Sequence, residues 1–196
     1  MTMSGNDVDV VGSKRWCSSL RVCPFLAILV SVSDSVQPLS NRNMILCRPA
    51  IPDDLPDLVE GNQGIAQETE NLTLSTSTLS SGIEAVFDDA NRGAYWVATD
   101  DHGIIGQLLI TFEWSDWRNG QIWWIQSVYV WPRARRQGVF RTLLARITEQ
   151  AQQAGVVELR LYAETTNDKA HKTYLNQGFE TGHYQVFEKP LNDMKQ

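Results

Sequence analysis

The chain has 196 residues, 42% of them hydrophobic and 20% charged, with 17 basic against 23 acidic side chains and a formal net charge of -6. That length accommodates one α/β domain with a sizeable core and is short for two. The acidity argues against a nucleic-acid or anionic-membrane binder and suits a cationic substrate, while Cys17, Cys23 and Cys47 lack paired metal spacing, so that no metal is expected and a reducing cytoplasm fits.

Residues 1–43 read unlike the rest. Lys14, Arg15 and Arg21 precede an apolar run from Val22 to Val32, and the polar stretch Ser33 to Asn43 follows without periodicity. The run is too short for a membrane span of about 20 apolar residues, and with its basic flank it resembles a signal peptide. Because Met44 opens a strand-like Ile45 to Arg48, the expectation is a disordered or spurious extension ahead of one domain over 44–196, with a signal peptide as the alternative.

Pro52-Asp53-Asp54 then opens an amphipathic helix carrying Leu55, Leu58 and Val59 inward, with proline in the first turn and acids near the positive end of the helix dipole. Gly61 to Ser81 reads as a polar, lid-like connection containing Gln67-Glu68-Thr69-Glu70, and a second helix is expected from Gly82 to Asn91. Three strands follow, Ala94 to Thr99, Gly103 to Glu113 and Gln121 to Trp131, the last two joined through Asn119-Gly120, a strong hairpin signal. Gly138 to Ala154 is a helix with Leu143, Leu144 and Ile147 on one face, capped by Gly155. A strand over Val157 to Ala163, a short helix over Asn167 to Gln177 stopped by Gly178, and one or two strands in Phe179 to Glu188 complete the order β-α-α-β-β-β-α-β-α-β.

The densest chemistry lies where the third of those central strands runs through a basic turn into a helix: Val128-Tyr129-Val130-Trp131-Pro132-Arg133-Ala134-Arg135-Arg136-Gln137-Gly138-Val139-Phe140-Arg141. Backbone N–H groups at a helix start have no partner within the helix and carry the positive end of its dipole, so a phosphate is the natural guest. Gly138 allows close approach of an oxygen, and Arg135, Arg136 and Arg141 add charge. A solvated basic turn is the alternative reading of the same residues.

These residues resemble the phosphate-binding signature of the GNAT superfamily of acyl-CoA N-acyltransferases, which has Arg or Gln, two residues, Gly, one residue, then Gly or Ala. Arg135 and Gly138 fill its first and fourth positions, and Phe140 departs from the small residue of the sixth. Asn167, Ala170 and Tyr174, followed by Gly178-Phe179, resemble a second superfamily block. The resemblance spans Met44 to about Lys189 in fold order. It implies an α/β fold (α+β by some schemes) with a mixed, mostly antiparallel sheet and helices on both faces.

Its functional implication is direct transfer of an acetyl group from acetyl-CoA to a primary amine in a ternary complex, without a metal. Arg135, Arg136, Gln137, Gly138, Val139, Phe140 and Arg141 would hold the pyrophosphate. The strand through Val128, Tyr129 and Val130 would splay from its parallel neighbour and bond the pantetheine arm through its main chain. Asn167 would steady that arm, or cap its helix, and Tyr174 would protonate the departing thiolate. No acid stands on the strand that commonly supplies the base, which offers Trp123, Trp124 and Gln126, so Glu113 and Glu68 lead the candidates. An aromatic and acidic cage of Trp114 and Trp117 with Glu113 and Asp116 is a further expectation for a cationic amine. The implied partners are a small-molecule or peptide amine, with no nucleic acid and no membrane, and a homodimer is common among resembling proteins. A non-catalytic acyl-CoA-binding regulatory module on the same fold is the rival reading. An RNA- or nucleotide-binding role is disfavoured by the acidity and by the missing Lys-Ser/Thr of a nucleotide loop.

Overall fold

A computed structural model of the protein describes residues 44–191, so the expectations for residues 1–43 lie outside the described residues. Strand β1 (Leu46–Pro49) leads through a short 3-10 turn at Pro52–Asp54 into helix α1 (Leu55–Glu70). Asp54, 7% exposed, accepts two bonds from the Arg48 guanidinium, at 2.6 and 2.8 Å, and one from the Ile51 N–H. The bidentate pair fixes the angle at which the chain leaves the sheet, and it holds the Asp54 carboxyl below its usual range.

Helix α1 runs further than the sequence reading placed it. The stretch after Gly61 stays helical to Glu70 because its glycines are packing sites: a Cβ at Gly61 would collide with the Gln107 side chain, and one at Gly64 with the Tyr129 ring. Asn71, at φ 54°, ends the helix in the left-handed region that asparagine tolerates. Helix α2 (Thr76–Asp88) also starts before its expected Gly82, with Ser75 accepting the Thr78 N–H as an N-cap. Only three residues, 72–74, lie between the Asn71 cap and the Ser75 cap, and Gln63 pins them by exchanging two hydrogen bonds with the Leu74 backbone. The lid-like connection is therefore a tight helix-helix corner.

Strands β2 (Ala94–Asp100), β3 (Gly103–Ser115) and β4 (Gly120–Val130) follow as expected, with Asn119 taking positive φ in the β3–β4 turn. Helix α3 (Val139–Gln153), the three-residue β5 (Glu158–Arg160) and α4 (Asp168–Asn176) complete the elements. The sheet order is β1-β2-β3-β4-β5, antiparallel except for the parallel β4–β5 pair. Helix α3 covers one face with Val139, Leu143, Leu144 and Ile147 against Ile105, Leu108, Ile110 and Ile125. Helices α1 and α2 cover the other, with Leu58, Val59 and Ile83 against Tyr95, Val97 and Ile104. Among the described residues, Phe179 to Glu188 forms no strand, and the fifth strand is shorter than Val157 to Ala163. Nothing pairs with the outer side of β5 among the described residues, which leaves it an open edge of the sheet.

Candidate acyl-transfer site

Strands β4 and β5 pair only at Ile122 with Glu158, Trp123 with Leu159 and Trp124 with Arg160. Beyond Trp124, β4 continues to Val130 with no strand paired to it on that side among the described residues. The N–H of Trp131 donates to Ile105 O at 3.0 Å, toward β3. Strand alternation therefore turns the main-chain groups of Val130 and Val128 the other way, into the opening. Tyr129 between them faces β3, in register with Gln107, and its ring lies on Gly64 of α1. Its main-chain groups thus face β3 and not the opening into which the arm was expected to lie.

The opening leads to the start of α3. Arg136 (φ 64°) and Gly138 (φ 86°) both lie in the left-handed region, and Gly138 is the N-cap. Successive residues of this kind curl the backbone into a concavity lined by N–H groups. Among the described residues, the N–H groups of Val139, Phe140 and Arg141 donate to nothing. A Cβ on Gly138 would lie 3.1 Å from Arg141 Nη2, so the concavity is one that a side chain would fill. Its shape and its unmet donors fit a pyrophosphate.

The arginines divide. Arg136 and Arg141 are exposed and form no ion pair among the described residues. Arg135 turns back: its Nε donates to Val130 O at 2.9 Å, and its Nη2 donates to both Glu68 oxygens at 2.6 and 2.8 Å. The Tyr129 hydroxyl donates to the same carboxylate at 3.0 Å. Glu68 is thereby held below the usual carboxylate range, first by the Arg135 hydrogen bond, which makes it a weak base. Gln137 donates to Arg133 O at 2.9 Å and closes the turn.

Tyr174 on α4 meets Phe140 of α3 and Phe179 edge-on, at centroid distances of 5.6 and 6.1 Å. The bulky residue at the sixth signature position is therefore the wall that Tyr174 leans on. Burial pushes the phenol up, which keeps it protonated. Asn167 caps α4, its Oδ1 accepting the Ala170 N–H at 3.0 Å, while its amide nitrogen donates to nothing among the described residues. Capping and donation to a ligand are compatible at this one side chain.

Glu113 lies at the other end of the opening. It accepts from Trp124 Nε1 at 2.5 Å and from Arg160 Nη1 at 3.1 Å, the two residues of the last β4–β5 pair. Arg160 also bonds Glu158 and lies over the Trp124 ring. This cluster was not legible in sequence, where Trp124 and Arg160 are 36 positions apart. The expected cage is not formed. Glu113 points to the face of Trp124 and Arg160, whereas alternation sends Trp114 to the opposite face, and Trp117 is 87% exposed. Among the described residues no three His, Cys, Asp or Glu side chains converge, and no helix is long and apolar enough to cross a membrane.

The model of the acetyltransferase (GNAT) family matches residues 65–179. The chain belongs to the GNAT acetyltransferase family. That match includes the whole phosphate loop, β4, β5 and the Asn167 to Phe179 block. Among solved structures, a possible acetyltransferase from Clostridium difficile 630 is 36% identical, with a TM-score of 0.71, over 76% of this chain and 98% of that one. A predicted acetyltransferase with acetyl-CoA from Clostridium acetobutylicum is 22% identical, with a TM-score of 0.60, over 74% and 96% of the two chains. An aminoglycoside acetyltransferase from an uncultured soil metagenomic sample is 17% identical, with a TM-score of 0.62, over 76% and 97%. The last two likenesses are of fold. A comparison with curated proteins gives no match. The GNAT fold, a mixed and mostly antiparallel sheet with helices on both faces, is therefore the one observed.

Proposed function

We propose that this GNAT protein transfers the acetyl group of acetyl-CoA to a primary amine by direct attack within a ternary complex. The observation that carries the reading is the continuity of two hydrogen-bonding surfaces, the main chain of Val128 and Val130 turned into the opening, where the Val130 carbonyl already accepts from Arg135 Nε, and the unmet N–H groups opening α3. Together they suit an extended arm ending in a pyrophosphate. The bound co-substrate supplies an activated thioester. Gly138 to Arg141 bind and orient its charged end, with Arg136 and Arg141 adding Coulombic attraction. Asn167 steadies the arm through its amide nitrogen, and the Tyr174 hydroxyl donates its proton to the sulfur as the thiolate leaves.

For the amine side, the reading favours Glu113 over Glu68. Glu113 lies where β4 and β5 part, so it can hold an incoming ammonium and receive its proton, directly or through a water. Glu68 is committed to Arg135 at the phosphate end. The acidity of the chain suits a cationic small-molecule or peptide acceptor, and a cytoplasmic setting would supply both substrates. One observation favours the non-catalytic alternative: both candidate carboxylates are already paired with arginine.

Calorimetry of acetyl-CoA binding to the full chain, followed by thiol release against a panel of amines, separates the readings. Saturable binding that is lost on Arg136→Glu, with thiol release for some amine, is the expected result. Binding without turnover points to the regulatory module, and no binding by folded protein overturns the assignment. A second measurement follows from the Glu68 pair. Exposed ion pairs are worth roughly 0–1 kcal/mol, so Glu68→Gln, which frees Arg135 for the phosphates, should tighten acetyl-CoA binding about two- to fivefold in the same titration. Unchanged or weaker binding would show that the pair persists in the complex.

A further inference from the structure

Between the end of β4 and the start of α3 the chain makes a 3-10 turn at Pro132–Ala134 and then takes two left-handed residues, Arg136 and Gly138. The Ala134 N–H donates to Trp131 O and the Arg135 N–H to Pro132 O, but the N–H groups of Arg136, Gln137 and Gly138 donate to nothing among the described residues. The second half of the turn therefore has no backbone ladder to set its shape. A positive φ at an arginine is disfavoured by its Cβ, and it persists only where the surroundings over-determine it. Side chains must supply that constraint.

Two of them act within the turn: Arg135 Nε on Val130 O and Gln137 Nε2 on Arg133 O, both at 2.9 Å. Arg133 carries the turn to the sheet. Its Nη1 donates to Asp100 Oδ2 at 2.7 Å, and its Nη2 donates to Asp100 Oδ1 and to Ile104 O, each at 3.3 Å. Asp100 ends β2, and its Oδ1 also accepts the His102 N–H at 2.8 Å, which fixes the carboxylate in the β2–β3 turn. A planar guanidinium held on a carboxylate and a carbonyl has one orientation. The residue whose carbonyl anchors Gln137 is thus itself clamped.

The other tie from this turn to a separate element is the Arg135–Glu68 pair, and the two ties differ in cover. The Glu68 side chain is 45% exposed, the Asp100 side chain 8%. An open carboxylate gives up its partner to a competing anion at little cost, whereas a covered one left unpaired is penalised. Arg135 can leave Glu68 for a phosphate while Arg133 stays on Asp100.

We infer that Asp100 is a positioning residue for the phosphate site: through Arg133 it holds the turn in the shape that gathers the N–H groups of residues 136–141 before the ligand arrives. The inference rests on the acetyl-CoA reading above. Arg133, although one of the basic run, is then a strut of the site and not a phosphate ligand. A turn released from Asp100 samples other shapes, and apparent affinity falls with the fraction that stays competent. Bound ligand restores the shape, so turnover at saturation is spared.

The test is Asp100→Asn in the full chain, with acetyl-CoA Kd by calorimetry, a thermal melt, and kcat by thiol release at saturating acetyl-CoA with an amine that the wild-type protein accepts. Asparagine keeps an oxygen for the His102 N–H and loses the charge that holds Arg133. A turn that keeps its shape about a tenth of the time gives a Kd about tenfold higher, with kcat within about twofold. Arg133→Met, at an exposed position, leaves the core untouched and should raise Kd by the same factor. The double variant should lose no more than either single one, because both remove one link. A Kd within about twofold of wild type in folded Asp100→Asn overturns the inference, as do additive losses in the double variant or a kcat that falls with the affinity. A much larger loss in Arg133→Met than in Asp100→Asn would put Arg133 on the phosphates and overturns it too. Absence of acetyl-CoA binding by the folded wild-type protein overturns the functional reading, and the inference with it.

Discussion

Replacing Gly138 by valine should weaken acetyl-CoA binding by about ten- to a hundredfold while leaving the protein folded. At φ 86° the N-cap lies where a β-branched residue is strongly disfavoured, at a cost of about 1–3 kcal/mol. The added atoms would also press on Arg141, whose Nη2 is 3.1 Å from the Cβ position. The chain escapes by turning φ negative, and that rotation swings the following N–H groups out of their shared concavity. With about 1.4 kcal/mol per tenfold in affinity, the strain and the lost alignment give the stated range. Calorimetry beside a thermal melt decides it: a Kd within twofold of wild type in a folded variant would remove Gly138 from the phosphate site.

Tyr174→Phe should lower kcat by about 10²–10³ and leave acetyl-CoA affinity nearly unchanged. The substitution keeps the ring, and with it the edge-on contacts to Phe140 and Phe179, so packing is preserved and the loss is that of a proton donor. The pH profile carries a second signature. A general acid works while it is protonated, and burial raises this phenol above its ordinary value. The wild-type kcat should therefore show no alkaline fall attributable to Tyr174 below about pH 10, the ordinary tyrosine range. Thiol release across pH for both proteins checks it, and a variant within threefold of wild type would show that the thiolate leaves unaided.

How far the sequence carried depends on the kind of signal. Period and punctuation placed β2, β3, β4 and α3: Asn119-Gly120 turned the hairpin, Gly155 capped α3, and Leu143 and Ile147 are buried where their spacing put them. The same punctuation misled at α1. Gly61 read as the start of a connection, yet Gly61 and Gly64 are the two places where the helix comes so close to Gln107 and Tyr129 that no Cβ fits. Local sequence does not distinguish a glycine kept for freedom from one kept for absence of bulk. The basic turn before α3 was legible because a strand, a run of arginines and a glycine lie in one short stretch. The Glu68–Arg135 pair and the Glu113–Trp124–Arg160 cluster were not, since each joins residues from elements that meet only in the folded sheet.

The parting of β4 from β5 after three pairs leaves a sheet with a missing rung on one side. A ligand laid along Val128 and Val130 would occupy the place of a strand, and the hydrogen bonds that recognise it would also be those that finish the architecture. Stability and occupancy are then one quantity seen from two sides. Any ligand bound only by the folded chain adds about 2.7 kcal/mol at a hundred times its Kd, so the durability of this fold would follow the supply of what it binds.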